Sequence, residues 1–237
     1  MRNLCRLLAA FCLLTTGLHA QEGDGFGFLN IVNLIPGDIP ADVTLGGKEL
    51  IPEGMKSADF TGWFVIPVGA KSITIALRKQ EDEKPAIAKA SGNIEVGEGL
   101  SNVIAMFLQP DPRIKPDGTP YPPKIRIKSF PAFASKGYGL RFVSTCATEE
   151  RFQIGPLKLD SKPLQPIEIE KWSGAGFEVT HNGKAIGKTA GSSEPGSFYL
   201  FVGAGEDGGF MTVLTRSDAQ KTPPWMKTEK KKHTTNP

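Results

Sequence analysis

Between Gly25 and Leu50 the chain reads as a fixed order of strand and turn. An apolar run from Phe26 to Ile35 ends at Pro36-Gly37-Asp38, and a short alternating run, Ala41 to Leu45, breaks at Gly46-Gly47 before Lys48. Strand, turn, strand, glycine hairpin is how an antiparallel β-sandwich opens. The same grammar continues through Phe60 to Val68, Lys71 to Lys79, Ile87 to Val96 and Val103 to Leu108. Ile73, Ile75 and Leu77 alternate with polar neighbours, which gives a strand one buried face. Gln80 to Pro85 is charged and reads as a solvent loop. Val103 to Leu108 is continuously apolar, the pattern of a central strand buried on both faces. No window of this half carries a helical stripe, and six or seven short strands with frequent turns predict a sandwich.

Gln109 to Pro123, QPDPRIKPDGTPYPP, places proline at six of fifteen positions. That density excludes a ladder strand or a helix and predicts a semi-rigid, extended connector. Beyond it Lys124-Ile-Arg-Ile-Lys128 alternates, and further strands are expected at Leu140 to Cys146, Arg151 to Leu159, Leu164 to Lys171 and Phe177 to His181. Asn182-Gly183 signals a type I′ hairpin into Lys184, and Ser197 to Val202 and Phe210 to Thr215 close the half. The expected fold is all-β: two consecutive immunoglobulin-like antiparallel β-sandwich modules, 25–109 and 124–218, joined by the Pro-rich linker 110–123.

Met1 to Ala20 reads as a secretory signal, with Arg2 and Arg6 ahead of the apolar Leu7 to Leu14. Leu18-His19-Ala20 supplies the cleavage site, although Leu18 stands where a small residue is usual. The mature chain is expected to begin at Gln21. The apolar core is far shorter than the ~20 residues that span a bilayer, so no transmembrane segment is expected after cleavage. Phe11 before Cys12 does not fit a lipoprotein signal. The predicted location is the periplasm or the extracellular medium.

Export changes the charge argument. The formal net charge of +3 falls to +1 without Arg2 and Arg6, and five lysines against Glu229 in Lys221 to Pro237 hold +4 of it. The body is thus about −3, which argues against nucleic acid as a partner. The tail, 219–237, lacks periodicity and is expected to be disordered, its lysines giving at most weak contact with anionic surfaces. Cys146 is the one cysteine left after the signal. No intramolecular disulfide is then possible, and its phase with Leu140 and Phe142 predicts a buried thiol.

Catalytic patterns are sparse. His181 is the one histidine between the signal and the tail, so two-histidine metal sites are excluded there. A Ser-His-Asp or Cys-His arrangement would have to use it. Gly203-Ala-Gly205-Glu-Asp-Gly208 matches G-x-G-x-x-G, but Phe210 to Thr215 is a strand pattern where a helix is needed, so a glycine-rich hairpin is expected. Asp38 and Asp42 lack the spacing of a Ca²⁺ loop and read as turn acids. Neither a cofactor nor a metal is expected, nor enzymatic activity. The candidate binding surface is Trp172 with Glu168 and Glu170, which share one phase of a strand and lead into Ser173-Gly-Ala-Gly176. Trp172 has a second reading, as a cover for the core.

Phe28 to Lys48, FLNIVNLIPGDIPADVTLGGK, resembles the opening of a family of secreted bacterial β-sandwich modules catalogued as a domain of unknown function. Val65-Ile-Pro67-Val-Gly69 and the strand after it fit the same pattern. The two-module layout, with Gly139 to Val143, His181 to Gly187 and Ser197 to Gly203, is similar to the periplasmic alginate O-acetylation accessory protein F. The resemblance implies an exported, non-catalytic helper in cell-surface polysaccharide modification, with a cell-envelope protein or polysaccharide as partner. It supplies no catalytic residue. A stand-alone carbohydrate- or surface-binding adhesion module is the alternative expectation. A hydrolase or transferase with an unrecognised carboxylate site is a third.

Overall fold

A computed structural model describes residues 25–77, 89–205 and 208–218. The signal segment, the tail, the whole of the Gln80 to Pro85 loop call and the acids Glu206 and Asp207 lie outside the described residues. Sixteen strands and no helix are present among those described.

The first eight strands are β1 (Phe26–Leu34), β2 (Ala41–Leu45), β3 (Lys48–Glu49), β4 (Phe64–Pro67), β5 (Gly69–Leu77), β6 (Lys89–Val96), β7 (Ser101–Gln109) and β8 (Lys124–Pro131). They form two sheets of order β4-β1-β7-β8 and β3-β2-β5-β6. The second eight are β9 (Tyr138–Ser144), β10 (Glu150–Ile154), β11 (Leu157–Ser161), β12 (Ile167–Ile169), β13 (Glu178–His181), β14 (Lys184–Lys188), β15 (Gly196–Ala204) and β16 (Phe210–Arg216). Their sheets run β12-β9-β15-β16 and β11-β10-β13-β14. Adding eight to each number in the first module reproduces the second, so the chain is two copies of one topology. Both are immunoglobulin-like sandwiches. Within each, the first strand runs parallel to the seventh, β1 to β7 and β9 to β15, while the other strand pairs are antiparallel.

This pairing corrects the module boundary. Lys124–Pro131 does not open the second sandwich but pairs antiparallel with β7 along its whole length. The proline-rich segment 110–123 is therefore the loop of a hairpin inside the first module. Its prolines forbid ladder pairing but suit a turn. Gly118 N–H donates to Lys115 O at 2.9 Å, with Pro116 at the position a type I turn favours. Asp117 Oδ1 accepts from Thr119 N–H, and Ile114 bridges Pro120. The chain crosses between sandwiches at 132–137. Arg151 to Leu159, expected as one strand, is two, folded back at Gly155-Pro156 so that Ile154 pairs with Leu157. Asn182 and Gly183, with φ of 49° and 76°, make the type I′ turn that the sequence predicts.

The sheets stack in four layers around three cores. Leu29, Ile31, Ile73, Ile75, Ile104 and Met106 fill the first sandwich, and Leu140, Phe142, Phe152, Leu200 and Val202 the second. The third core lies between modules: Val32, Leu34, Phe107 and Phe130 pack on Val143, Tyr199, Phe201 and Val213. Polar bonds register this middle layer. Asn30 Nδ2 donates to Thr215 Oγ1 at 2.7 Å, and Tyr199 Oη donates to Pro131 O at 2.9 Å. A Cβ at Gly203 would lie 3.3 Å from that of Leu34, so a larger side chain there would push the sheets apart.

Candidate functional site

The expected binding surface on the second module does not form as a single face. Glu168 lies on β12 opposite Arg141 of β9, whose Nη2 approaches its Oε2 to 3.6 Å, and Glu170 is exposed. Trp172 turns the other way. Period-two phasing ends with β12 at Ile169, and Lys171 takes a left-handed backbone, φ 57°. One such residue reverses the side-chain direction that strand alternation would give. The half-buried indole then packs against the second core, 5.2 Å from the Phe198 ring, 5.8 Å from Tyr138 and 6.4 Å from Phe177, all edge-on. Its Nε1–H donates to Ala175 O at 2.9 Å. Trp172 is a core cover, the second of the two readings the sequence allows.

His181 has a partner, in an order that does not suit nucleophilic catalysis. Its Nε2 lies 3.1 Å from Glu150 Oε2, while Thr148 Oγ1 donates to Glu150 Oε1 at 3.0 Å. The carboxylate thus sits between hydroxyl and imidazole, whereas a triad needs the imidazole between the other two. The ring is held between Phe152 and Phe210, at 5.3 and 4.5 Å. Cys146 is half-buried against the second core, and burial pushes its thiol up from the ordinary value of 9.0. A raised thiol is the reverse of an activated one. Among the described residues no three His, Cys, Asp or Glu side chains are grouped to hold a metal ion. Asp38 and Asp42 accordingly belong to no such group. Around the glycine-rich sequence β15 and β16 pair antiparallel, with Gly205 N–H donating to Gly209 O at 2.8 Å.

A concave surface among the described residues lies on the first module. A cleft of about 550 Å³ opens between β6 and β8 and is capped by the 110–123 hairpin loop. Ala90, Ile125 and Ile127 contribute apolar lining, while Lys89, Arg113, Lys124 and Arg126 contribute four cations. Asp111 organises two of these. Arg113 Nε and Nη2 grip its oxygens at 2.9 and 2.6 Å, and Lys124 Nζ reaches Oδ2 at 3.0 Å. The Asp111 side chain is only 3% exposed, yet Arg113 and Lys124, which cover it, are 62% and 52% exposed. It is enclosed by its partners at the surface rather than by the core. The Arg113 guanidinium holds its carboxyl well below the usual carboxylate range, Lys124 adding to the effect. Arg126 is steadied by a 2.8 Å bond from Nε to Gln109 Oε1, and the Arg113 guanidinium carbon lies 4.8 Å from the Tyr121 ring centroid.

Among the described residues the cleft is a cationic groove with one carboxylate used as an internal brace. No protein-family model matches the chain, and no curated protein matches it either. Sequence reasoning missed this site because its cations come from three separate segments of a body whose net charge is negative. A signal was present nonetheless. In Lys124-Ile-Arg-Ile-Lys128 every polar position of the alternation is basic.

Proposed function

We propose that this chain is an exported, non-catalytic binding protein that helps a cell-surface polysaccharide-modifying assembly. The observation that supports the reading is the cleft between β6 and β8, where Asp111 holds two of the four cations, Arg113 and Lys124, in place before any partner arrives. Pre-organisation lowers the ordering cost of binding. The cleft is built on paired strands of a sandwich whose second face is locked to another sandwich, so the site is held rigidly. A helper needs such a surface and no chemistry of its own. No helix among the described residues is long and apolar enough to cross a membrane.

Export is checked by the mass of material recovered from outside the cytoplasm, which should begin at Gln21. The helper role is checked by deleting the gene and measuring the acetyl content of the cell-surface polysaccharide. That content should fall, and wild-type protein should restore it, whereas Lys124→Glu/Arg126→Glu should not. Purified protein should turn over neither acetyl esters nor glycosides. Turnover abolished by Glu168→Gln would make the chain an enzyme and refute the proposal.

A further inference from the structure

The walls of the cleft are two sheet edges. β6 is the outermost strand of one sheet and β8 of its neighbour, and residues 89–92 line the opening with 122–127. Edge strands present backbone N–H and C=O groups that an extended polypeptide can pair with. Along β8 the side chains divide cleanly. Ile125 and Ile127 pack toward the first core, while Lys124, Arg126 and Lys128 point to the exposed face. An extended chain lying beside β8 would meet the same two-residue period.

We infer that this cleft docks an extended acidic segment of a partner protein, its apolar side chains beside Ile125 and Ile127 and its carboxylates beside Lys124 and Arg126. The inference rests on the binding role proposed above and names the partner's chemistry. Opposite charges placed directly across a strand pair attract, and like charges repel. A second copy of this chain would bring the same basic row against itself, so β8 discourages self-pairing while admitting an acidic strand. A saccharide fits less well. Sugar rings favour a free aromatic face, and the ring at this cleft, Tyr121, already has Arg113 at 4.8 Å and Lys115 at 5.9 Å from its centroid. The main-chain donors and acceptors of two strand edges have no periodic counterpart in a glycan.

The test is fluorescence anisotropy of the full chain with a labelled peptide that alternates Glu and Val. Saturable binding is expected, weakened roughly tenfold or more by Lys124→Glu/Arg126→Glu and by raised salt. Arg126→Gln, which keeps the side-chain bulk, serves as a second variant should the double one unfold by circular dichroism, and it too should weaken binding. Lys158→Glu on the second module should leave affinity unchanged. Methylating alternate peptide nitrogens should abolish binding in one of the two possible sets, since one set faces β8. Equal binding of a Lys-Val peptide, or indifference to methylation in both sets, would overturn the inference. So would an oligogalacturonate that binds where the acidic peptide does not, and in that case the polysaccharide-related role would stand. A peptide that binds as expected to a protein whose deletion leaves surface acetylation unchanged would sustain the inference and remove that role.

Discussion

Phe201→Ala tests whether the two sandwiches are one folding unit. Phe201 lies on β15, is fully buried, and faces the core between modules, with its ring 5.3 Å from Phe130 of the first sandwich. A phenylalanine buries ~150 Å² or more, which at ~25 cal/mol per Å² is about 4 kcal/mol of transfer free energy. Alanine keeps part of that, and the cavity left by the ring adds a cost, so about 3–5 kcal/mol should be lost. For a chain of this size that is a fall of roughly 6–20 °C in the thermal midpoint. The decisive readout is where the loss is felt. Trp63 packs against the middle core from the first module, and Trp172 against the second core. In variants that each retain one of these tryptophans and lack Trp225, denaturant unfolding followed by fluorescence should shift to a lower midpoint at both probes, each compared with its own parent that keeps Phe201. If the Trp63 transition stays in place while the Trp172 transition falls, the middle core does not couple the modules and the reasoning fails.

Three further outcomes are expected. Trp172→Ala should cost about 2–4 kcal/mol in chemical denaturation, somewhat less than a fully buried aromatic because the ring is half enclosed, whereas Glu168→Gln should be close to neutral because its pair with Arg141 is exposed. Stability should decline as pH rises through the ordinary thiol range, because burial raises the folded-state value of Cys146: the unfolded chain ionises first, and the stabilisation present below that range is lost as pH climbs through the folded value. Cys146→Val should reduce that alkaline slope in a pH series of denaturation curves, and Tyr199, also raised by burial, should sustain what remains at higher pH. Asp111→Asn should leave the thermal midpoint almost unchanged, since Arg113 and Lys124 are solvent-facing partners, yet it should speed amide hydrogen exchange in 110–123 by releasing the brace on the hairpin.

Much of the fold was legible because strand punctuation is local. The Ala41–Leu45 strand, the glycine hairpin after it and the Asn182-Gly183 turn follow from residue type alone. The continuous apolar run at Val103 to Leu108 was legible as buried on both faces, and its cause is now plain. Ile104 and Met106 point into the first core, while Val103, Ala105 and Phe107 point into the middle one. In a two-layer sandwich a central strand needs only one apolar face. A strand with two implies a third layer, and β1 and β15 carry the same mark. The boundary was misread because proline density was weighed as a linker property. Proline excludes strand pairing and helix, but a hairpin loop satisfies both exclusions as well as a linker does. What distinguishes them is the pairing of β7 with β8, which is not encoded in the loop.

The candidate site was less legible because side-chain direction at a strand end depends on one backbone angle. Trp172 shares its parity with Glu168 and Glu170, and Lys171 cancels that parity. The cationic cleft depends on a different kind of information, namely how far two sheet edges stand apart. The repeat makes the comparison internal. β14 and β16 occupy in the second module the places of β6 and β8 in the first. There Gly187 lets β14 lie so close to Thr212 of β16 that an added Cβ would collide with the threonine hydroxyl. In the first module a cleft lies between the corresponding strands, and the connection that follows the seventh strand is the long 110–123 hairpin, where the second module has only 205–209 between β15 and β16. The residues that line the cleft, Asp111, Arg113, Tyr121 and the basic face of β8, lie in or beside one of the segments where the first copy is longer than the second. That is where a duplicated sandwich can acquire a binding role without disturbing the cores that fold it.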